Sequence, residues 1–386
     1  MVRGEKRTMK NVPHKLLKVL PEKDWWGRQK AIRDIISHPE REYLRYLEEA
    51  LRNGDDADVR NTAMEVYRAL GRRALPSLGL LVNDADPEVR LFAVNILSDI
   101  GDGEGLPLLL SAIHDDDVNV RAASAEALGV IGGSGALAAL KEALNDDPWV
   151  AMASVHAAGE IGGEEALNIL HGCLYRQEFR DIAVAALEKA GDGGSIRHLA
   201  GYLRQSDMRD RVLKAIVKIV GKERVRPAPE YFFNMVPDLL EMVDSAPQEM
   251  KRYAFIALCW SHDVMGLPHM IDAVKDEELQ EYAIEGLLGI GRRAVCAIVD
   301  AMKASDGNHR PVLAKVLVMI GEDKALLQFA DDGDPEVRTE VALALGSLDL
   351  ERATVTLEDM LSDPHEEVRR AARNSVERLK TARSPQ

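Results

Sequence analysis

Several things are scarce in this chain of 386 residues. Aromatic residues make up only 5%, too few for a protein built on large β-sandwiches, whose strands favour Tyr, Phe and Trp. Cysteine occurs three times, as Cys173, Cys259 and Cys296, and no pair has CxxC spacing. An odd, dispersed set argues against a disulfide framework or a structural zinc site, and predicts reduced thiols in a cytoplasmic protein. No run of about 18 apolar residues occurs, so the sequence predicts no membrane-spanning helix. The opening stretch MVRGEKRTMKNVPHKLLKVL is charged and lacks the apolar core of a signal peptide. Positive charge is also short: 49 Lys and Arg stand against 64 Asp and Glu, for a net −15. Nucleic acid and anionic lipid both need clustered Lys and Arg, so neither is expected as a partner.

What the chain does have is a hydrophobic share of 46%, enough for a sizeable core, and an internal repeat. Residues 84–101 (DADPEVRLFAVNILSDIG), 115–132 (DDDVNVRAASAEALGVIG) and 331–349 (DDGDPEVRTEVALALGSLD) share an acidic cluster, Val-Arg and a small-residue run. Taking the Arg as register zero gives Arg28, Arg60, Arg90, Arg121, Ala151, Arg180, Asp210, Lys251, Gln280, Arg310, Arg338 and Arg369. Ten of the eleven spacings lie between 28 and 32 residues. Positions that did not define the register support it. Offset +7 is Ile, Leu, Val, Ala or Tyr in all twelve units, and offset +3 is mostly Ala or Ser. Offsets of three, seven and ten share one helical face.

The ends of this helix are also marked. Asp86-Pro87, Asp147-Pro148, Asp334-Pro335 and Asp363-Pro364 read as N-cap followed by N1, a cap stabilising by about 1 kcal/mol. Gly at 71, 101, 132, 162, 191, 221, 291 and 321 stands eleven residues after register zero, where a left-handed residue ends a helix. A leucine-rich helix precedes each capped one, as in 106–110 and 136–144. A single pair cannot bury its own apolar face, so the pairs must stack. The expected fold is all-α, an α-α superhelix of about twelve helix pairs.

The D-x-x-VR-x-x-A-x-x-AL-G-x-IG string resembles that of HEAT repeats of the short, roughly 30-residue type named after phycobilisome lyases. The resemblance covers about residues 25–380. It implies a basic N-terminal arm or cap over 1–24, repeats 1–7 over 25–221, an irregular insert over 222–237, repeats 8–12 over 238–382 and a tail over 383–386. The arm carries seven basic and three acidic residues, leaving −19 for the rest. The insert places Lys222, Arg224 and Arg226 beside Tyr231, Phe232 and Phe233. It reads either as a longer loop packed on its neighbours or as a protruding partner contact, for which Arg and aromatic side chains are usual anchors.

Chemistry is thin. Deoxyhypusine hydroxylases resemble this repeat type, and their di-iron site uses His-Glu dipeptides just after register zero. Here those positions read Asn61-Thr62, Leu91-Phe92, Ala122-Ala123, Met152-Ala153 and Glu281-Tyr282, and the sole His-Glu, His365-Glu366, lies in a capping loop. One such dipeptide cannot supply the carboxylate–histidine cage iron needs. No H-E-x-x-H, P-loop or G-x-S-x-G string occurs, and the grouping of His262, Asp263 and His269 lacks a third strong ligand. No catalytic residue, metal site or cofactor is predicted.

In HEAT arrays the capped second helix lines the concave side. If the resemblance holds, offset +5 faces a groove, reading Glu65, Asn95, Glu126 and His156, then Ala185, Ala215 and Ile256, then Glu285 and Lys315. Trp260 falls near the apolar stretch. The leading expectation is a non-enzymatic scaffold holding a protein or peptide partner at Glu65, Asn95, Glu126, His156, Ile256, Trp260, Glu285, Lys315, Arg226, Tyr231, Phe232 and Phe233. The alternative is a bilin-lyase-like enzyme subunit, because phycobilin lyases share the repeat. A third reading has Ala185, Ala215 and Ile256 simply packing against the insert.

Overall fold

The computed structural model describes residues 32–33, 37, 41–53, 57–304, 309–346 and 351–383. The register-zero Arg28 and the basic arm 1–24 lie outside them. The described residues contain helices and turns and no strand. They fall into two compact units, Met1–His198 and Leu199–Gln386.

In the first unit the helices alternate. Leading helices are α1 (Arg41–Asn53), α3 (Leu75–Leu81), α5 (Leu106–Ala112), α7 (Ser134–Ala143) and α9 (Gly163–Leu174). Each precedes a register helix: α2 (Ala57–Leu70), α4 (Pro87–Ile100), α6 (Val118–Ile131), α8 (Pro148–Ile161) and α10 (Arg180–Ala190). The short α11 (Ser195–Ala200) straddles the division. The second unit holds α12 (Arg209–Glu223), then the pairs α13 (Val236–Ser245) with α14 (Gln248–Trp260), α15 (Leu267–Ala273) with α16 (Gln280–Ile290), and α17 (Val295–Ala304) with α18 (Arg310–Ile320). A 3₁₀ stretch, Asp323–Phe329, then stands in for a leading helix before α19 (Pro335–Leu345), and α20 (Glu351–Met360) pairs with α21 (Glu366–Arg383).

Register helices pack because the repeat supplies the same buried faces each time. Every described +3 residue, from Ala63 to Ala372, is buried, and so is every described +7 residue from Tyr67 to Leu345. The buried serines Ser124 and Ser154 satisfy their hydroxyls by donating to the carbonyls of Val120 (2.7 Å) and Val150 (2.8 Å) one turn back. Close approach has its own device at +8. A Cβ on Gly129 would lie 2.8 Å from the Ala157 backbone of α8, and one on Gly159 would lie 2.7 Å from Ala186 Cβ of α10.

The caps form largely as the sequence predicts. Asp86, Asp147 and Asp334 accept from the N–H two residues on at 2.9, 3.0 and 2.9 Å. Asp363 is a correction. It stands six residues before Arg369, not four, and it serves as the carboxylate that Arg338 grips. The glycine caps are also fewer. Gly71, Gly101, Gly132, Gly162, Gly291 and Gly321 have positive φ, whereas Gly191 has φ −59° and Gly221 lies inside α12. There the left-handed residue is Arg224, at φ 52°, because α12 runs a turn further into the insert.

Register-zero arginines tie one repeat to the next. Arg90 grips Asp115 bidentately at 2.7 and 2.7 Å, Arg121 grips Asp146 at 2.9 and 2.9 Å, and Arg338 grips Asp363 at 2.8 and 3.1 Å. Arg310 pairs with Asp332 in the same way. Each of Arg90, Arg121, Arg338 and Arg369 also donates to the carbonyl six residues before it, at 2.8, 2.8, 2.5 and 2.6 Å.

Candidate functional site

The first unit presents one face of its register helices to solvent. Offsets −2, +1, +2, +5 and +9 lie along a single helical stripe, spaced by three or four residues. On α8 that stripe is Trp149, Met152, Ala153, His156 and Glu160. Trp149 is 72% exposed and Met152 38%. Beside it on α6 lie the half-buried Ala122 and Ala123 and the exposed Glu126 and Val130, and on α4 the half-buried Leu91 and Phe92. The Arg60 guanidinium sits 5.9 Å from the Phe92 ring centroid.

The residues expected at offset +5 in this unit divide by exposure. Asn95, Glu126 and His156 are exposed, and Glu65 is half-buried. His156 lies 3.8 Å from Glu160, which also pairs with Lys189. The Lys189 ammonium holds the Glu160 carboxyl below the usual carboxylate range. The apolar residues of this face do not come from +5. They come from −2 and from +1 and +2, the last two being the positions where His-Glu dipeptides are missing. A signal for them exists in the sequence. Offset −2 is polar in nine of the other eleven repeats, from Asp58 to Glu367, and apolar only at Trp26 and Met208, so tryptophan at 149 departs from a mostly polar column.

In the second unit the insert settles against its neighbours. Phe232 is fully buried, with its ring centroid 5.9 Å from that of Trp260. Trp260 and Ile256 are themselves 3% and 1% exposed, and Ala215 is buried. The expectation that Ile256, Trp260 and Phe232 offer an open apolar contact is therefore corrected. They lie in the core, because ten extra residues give the chain the length to lay an aromatic side chain over the end of α14. Arg226 reaches on to Glu285 of α16 at 2.7 Å. Tyr231 is half-buried, Phe233 is 54% exposed, and Lys315 pairs with Glu340 at 3.3 Å. Between α12, α14 and α16 a shallow cleft is lined by Val217, Arg252, Tyr253, Ile256 and Tyr282.

His262 closes α14 with φ 52°, eleven residues after Lys251, where other repeats use glycine. A Cβ on Gly289 would lie 2.2 Å from its ring. Burial, with Arg226 and Arg293 nearby, holds the imidazole below the usual histidine range despite Glu285. His262, Asp263 and His269 do not converge. Asp263 caps the turn after α14 by accepting from Met265 N at 2.8 Å, and His269 faces Asp244 at 3.4 Å. Among the described residues no three His, Cys, Asp or Glu side chains are placed to hold a metal ion.

One grouping has the composition of a catalytic triad. His171 Nε2 lies 2.9 Å from Ser195 Oγ, and His171 stacks on His198 at 4.1 Å. But Asp192 bonds the serine, not the histidine, accepting from Ser195 N and Oγ at 3.0 Å each. With Asp192 N donating back to Ser195 Oγ at 3.3 Å, this is a reciprocal cap on α11. Ser195 is fully buried and cannot meet a substrate.

The repeat geometry agrees with an independent comparison. The family model of HEAT repeats matches residues 75–149 and 324–377. These are HEAT repeats. Solved structures also match the fold over nearly the whole chain. A chain of a homology model of the full-length AP-3 complex in an intermediate open conformation is 14% identical at TM-score 0.55, covering 96% of this chain and 83% of that one. A chain of the structure in which Kap95p binding induces the switch loops of RanGDP to adopt the GTP-bound conformation is 14% identical at TM-score 0.50, covering 94% of this chain and 64% of that one. At such identity the likeness is one of fold alone. No curated protein matches the sequence.

Proposed function

We propose that this HEAT-repeat protein is a non-enzymatic scaffold that holds a protein partner against the register-helix face of its first unit. The observation that carries the reading is Trp149. A tryptophan with 72% of its surface in water is costly to leave bare, and Trp is among the commonest energetic anchors of protein interfaces. Met152 on the same helix, and the half-buried Leu91 and Phe92 two register helices away, add apolar surface of the kind that marks a partner site. Asn95, Glu126 and His156 border it and fit the polar rim of such an interface. Lys315 and Phe233 are exposed candidates in the second unit, and Arg226 with Glu285 is a candidate once their mutual ion pair opens.

A cytoplasmic location fits three thiols that form no disulfide. No described helix is long and apolar enough to cross a membrane. The 30-residue spacing and Val-Arg string favour the short phycobilisome-lyase type among HEAT repeats.

The test is affinity capture from the native source with wild type, Trp149→Ala and Met152→Glu, read by quantitative mass spectrometry. A genuine partner falls about tenfold or more in both variants. If every captured protein is recovered equally with all three baits, this face is not the binding site.

A further inference from the structure

The chemistry of the Trp149 face also specifies what it accepts, given that it is a partner site at all. Residues 91–165 contain thirteen Asp and Glu against only Arg121 and Lys141, so this stretch alone carries −11 of the chain's −15. Arg121 is itself engaged with Asp146, and five of the acids pair with cations outside the stretch: Asp99 with Arg68, Asp102 and Glu104 with Arg72, Asp115 with Arg90 and Glu160 with Lys189. The layout of these acids matters more than their number. Met152, Leu91 and Phe92 lie in the first half of their helices, and Trp149 stands in the first turn of α8, next to the Asp147 cap. At the N-terminal ends of the helices lie the capping turns with Asp116, Asp117 and Asp147. Toward the C-terminal ends lie Glu126 and Glu160. Among the described residues, Asp116 and Glu126 form no ion pair.

The second unit supplies an internal precedent. There a segment of the chain itself lies on register helices, with a cation on an offset +5 glutamate (Arg226 on Glu285, 2.7 Å) and an aromatic ring on a tryptophan (Phe232 and Trp260, 5.9 Å). The first unit displays the same two residue types, both exposed: an offset +5 glutamate, Glu126, and a tryptophan, Trp149, which stands at offset −2 where Trp260 stands at +9.

We infer that the first unit binds a short segment of a partner protein that carries Lys or Arg on both sides of one large apolar side chain. The apolar side chain packs against Trp149 and Met152. The flanking cations meet Glu126 on one side and the Asp116–Asp147 capping turns on the other. Charge complementarity of this kind sets orientation and speeds encounter, and it makes binding salt-dependent.

The experiment uses the full chain and three labelled twelve-residue peptides, followed by fluorescence anisotropy. One has lysines flanking a central phenylalanine, one replaces the lysines with glutamates, and one replaces the phenylalanine with glycine. The first should bind at least tenfold tighter than the others and weaken between about 50 and 200 mM salt. Trp149→Ala and Glu126→Lys should each cost about tenfold, while Glu358→Lys, at an exposed position of α20 in the second unit, leaves the affinity unchanged. Circular dichroism melts confirm that the variants remain folded. Equal binding of the acidic peptide, or indifference to Trp149→Ala, overturns the inference. So does a dimer in sedimentation that Trp149→Ala abolishes, because the occupant is then a second copy of this chain. If a captured partner depends on Trp149 while no basic peptide binds, the scaffold stands and the basic segment falls.

Discussion

A single residue type, the arginine at register zero, does two jobs in this protein. Its Nη1 closes its own loop by donating to the carbonyl six residues back. Its other nitrogens grip the aspartate of the following repeat. Where the arginine is replaced the loop closure can persist: Gln280 Nε2 donates to Val274 O at 2.7 Å. The Arg338–Asp363 pair is largely buried, with side chains 9% and 8% exposed. Removing one partner of a buried pair strands the other charge, so Arg338→Ala should destabilise by about 3 kcal/mol in urea denaturation. Trp149→Ala, on an exposed surface, should change stability by no more than about 0.5 kcal/mol. The ladder also has a pH signature. The Arg121 and Arg338 guanidiniums hold the Asp146 and Asp363 carboxyls below their ordinary values. A lowered folded pKa means stability that is fully present above the unfolded value, about 3.9, and is lost as pH falls through the folded value. Thermal melts from pH 6 down to pH 2.5 should show wild type losing stability below about pH 4, and Asp363→Asn losing less over the same range.

Between elements, the spacing of register helices is set by glycine at +8. Gly129 and Gly159 leave no room for a Cβ against Ala157 and Ala186, whose nearby atoms include backbone that cannot swing aside. Gly129→Ala should therefore destabilise by about 1–3 kcal/mol by overpacking, measured by chemical denaturation. The second expectation at this scale concerns Arg224. It holds a left-handed conformation, φ 52°, which costs an L-residue about 1–2 kcal/mol. Glycine removes that strain but adds unfolded-chain entropy, so Arg224→Gly should give a net gain of about 0.5 kcal/mol or less.

Much at this scale was legible in the sequence. Offsets +3 and +7 read correctly because burial recurs at a fixed helical phase. The Asp-Pro caps at 86, 147 and 334 read correctly because a cap is a local device. Asp363 misread because the same dipeptide can sit two residues earlier in the turn, and only its arginine partner distinguishes the cases. Trp260 and Phe232 misread as an open site because Phe232 comes from an insert with no repeat equivalent and lies against Trp260, and Ile256 misread because it is buried among neighbouring register helices. Trp149 went unnoticed because a single offset, +5, stood for the whole face, while a helix presents −2, +1, +2 and +5 together.

For the whole molecule, repeat proteins gain their stability from each unit and its nearest neighbours. Damage should therefore stay local. In hydrogen exchange, Arg338→Ala should lower protection over residues 310–377 and leave residues 57–131 at wild-type levels. Uniform loss across the chain would mean that the array behaves as one cooperative block.

The arginine ladder has a further consequence for how such a chain changes its length. Each grip joins an arginine to an acid lying 25 residues downstream in the pairs at 90, 121 and 338, so the bond never closes within one repeat. Excision of residues 91–121 would splice Arg90 onto Ala122, in the place Arg121 now holds, and present it to Asp146. Within the ladder no charge would lose its counterpart, although Arg68 and Arg72, which stand outside it, would give up Asp99, Asp102 and Glu104. A gene encoding this architecture can add or drop whole modules at that joint and leave each register-zero arginine of the ladder with an acid to meet.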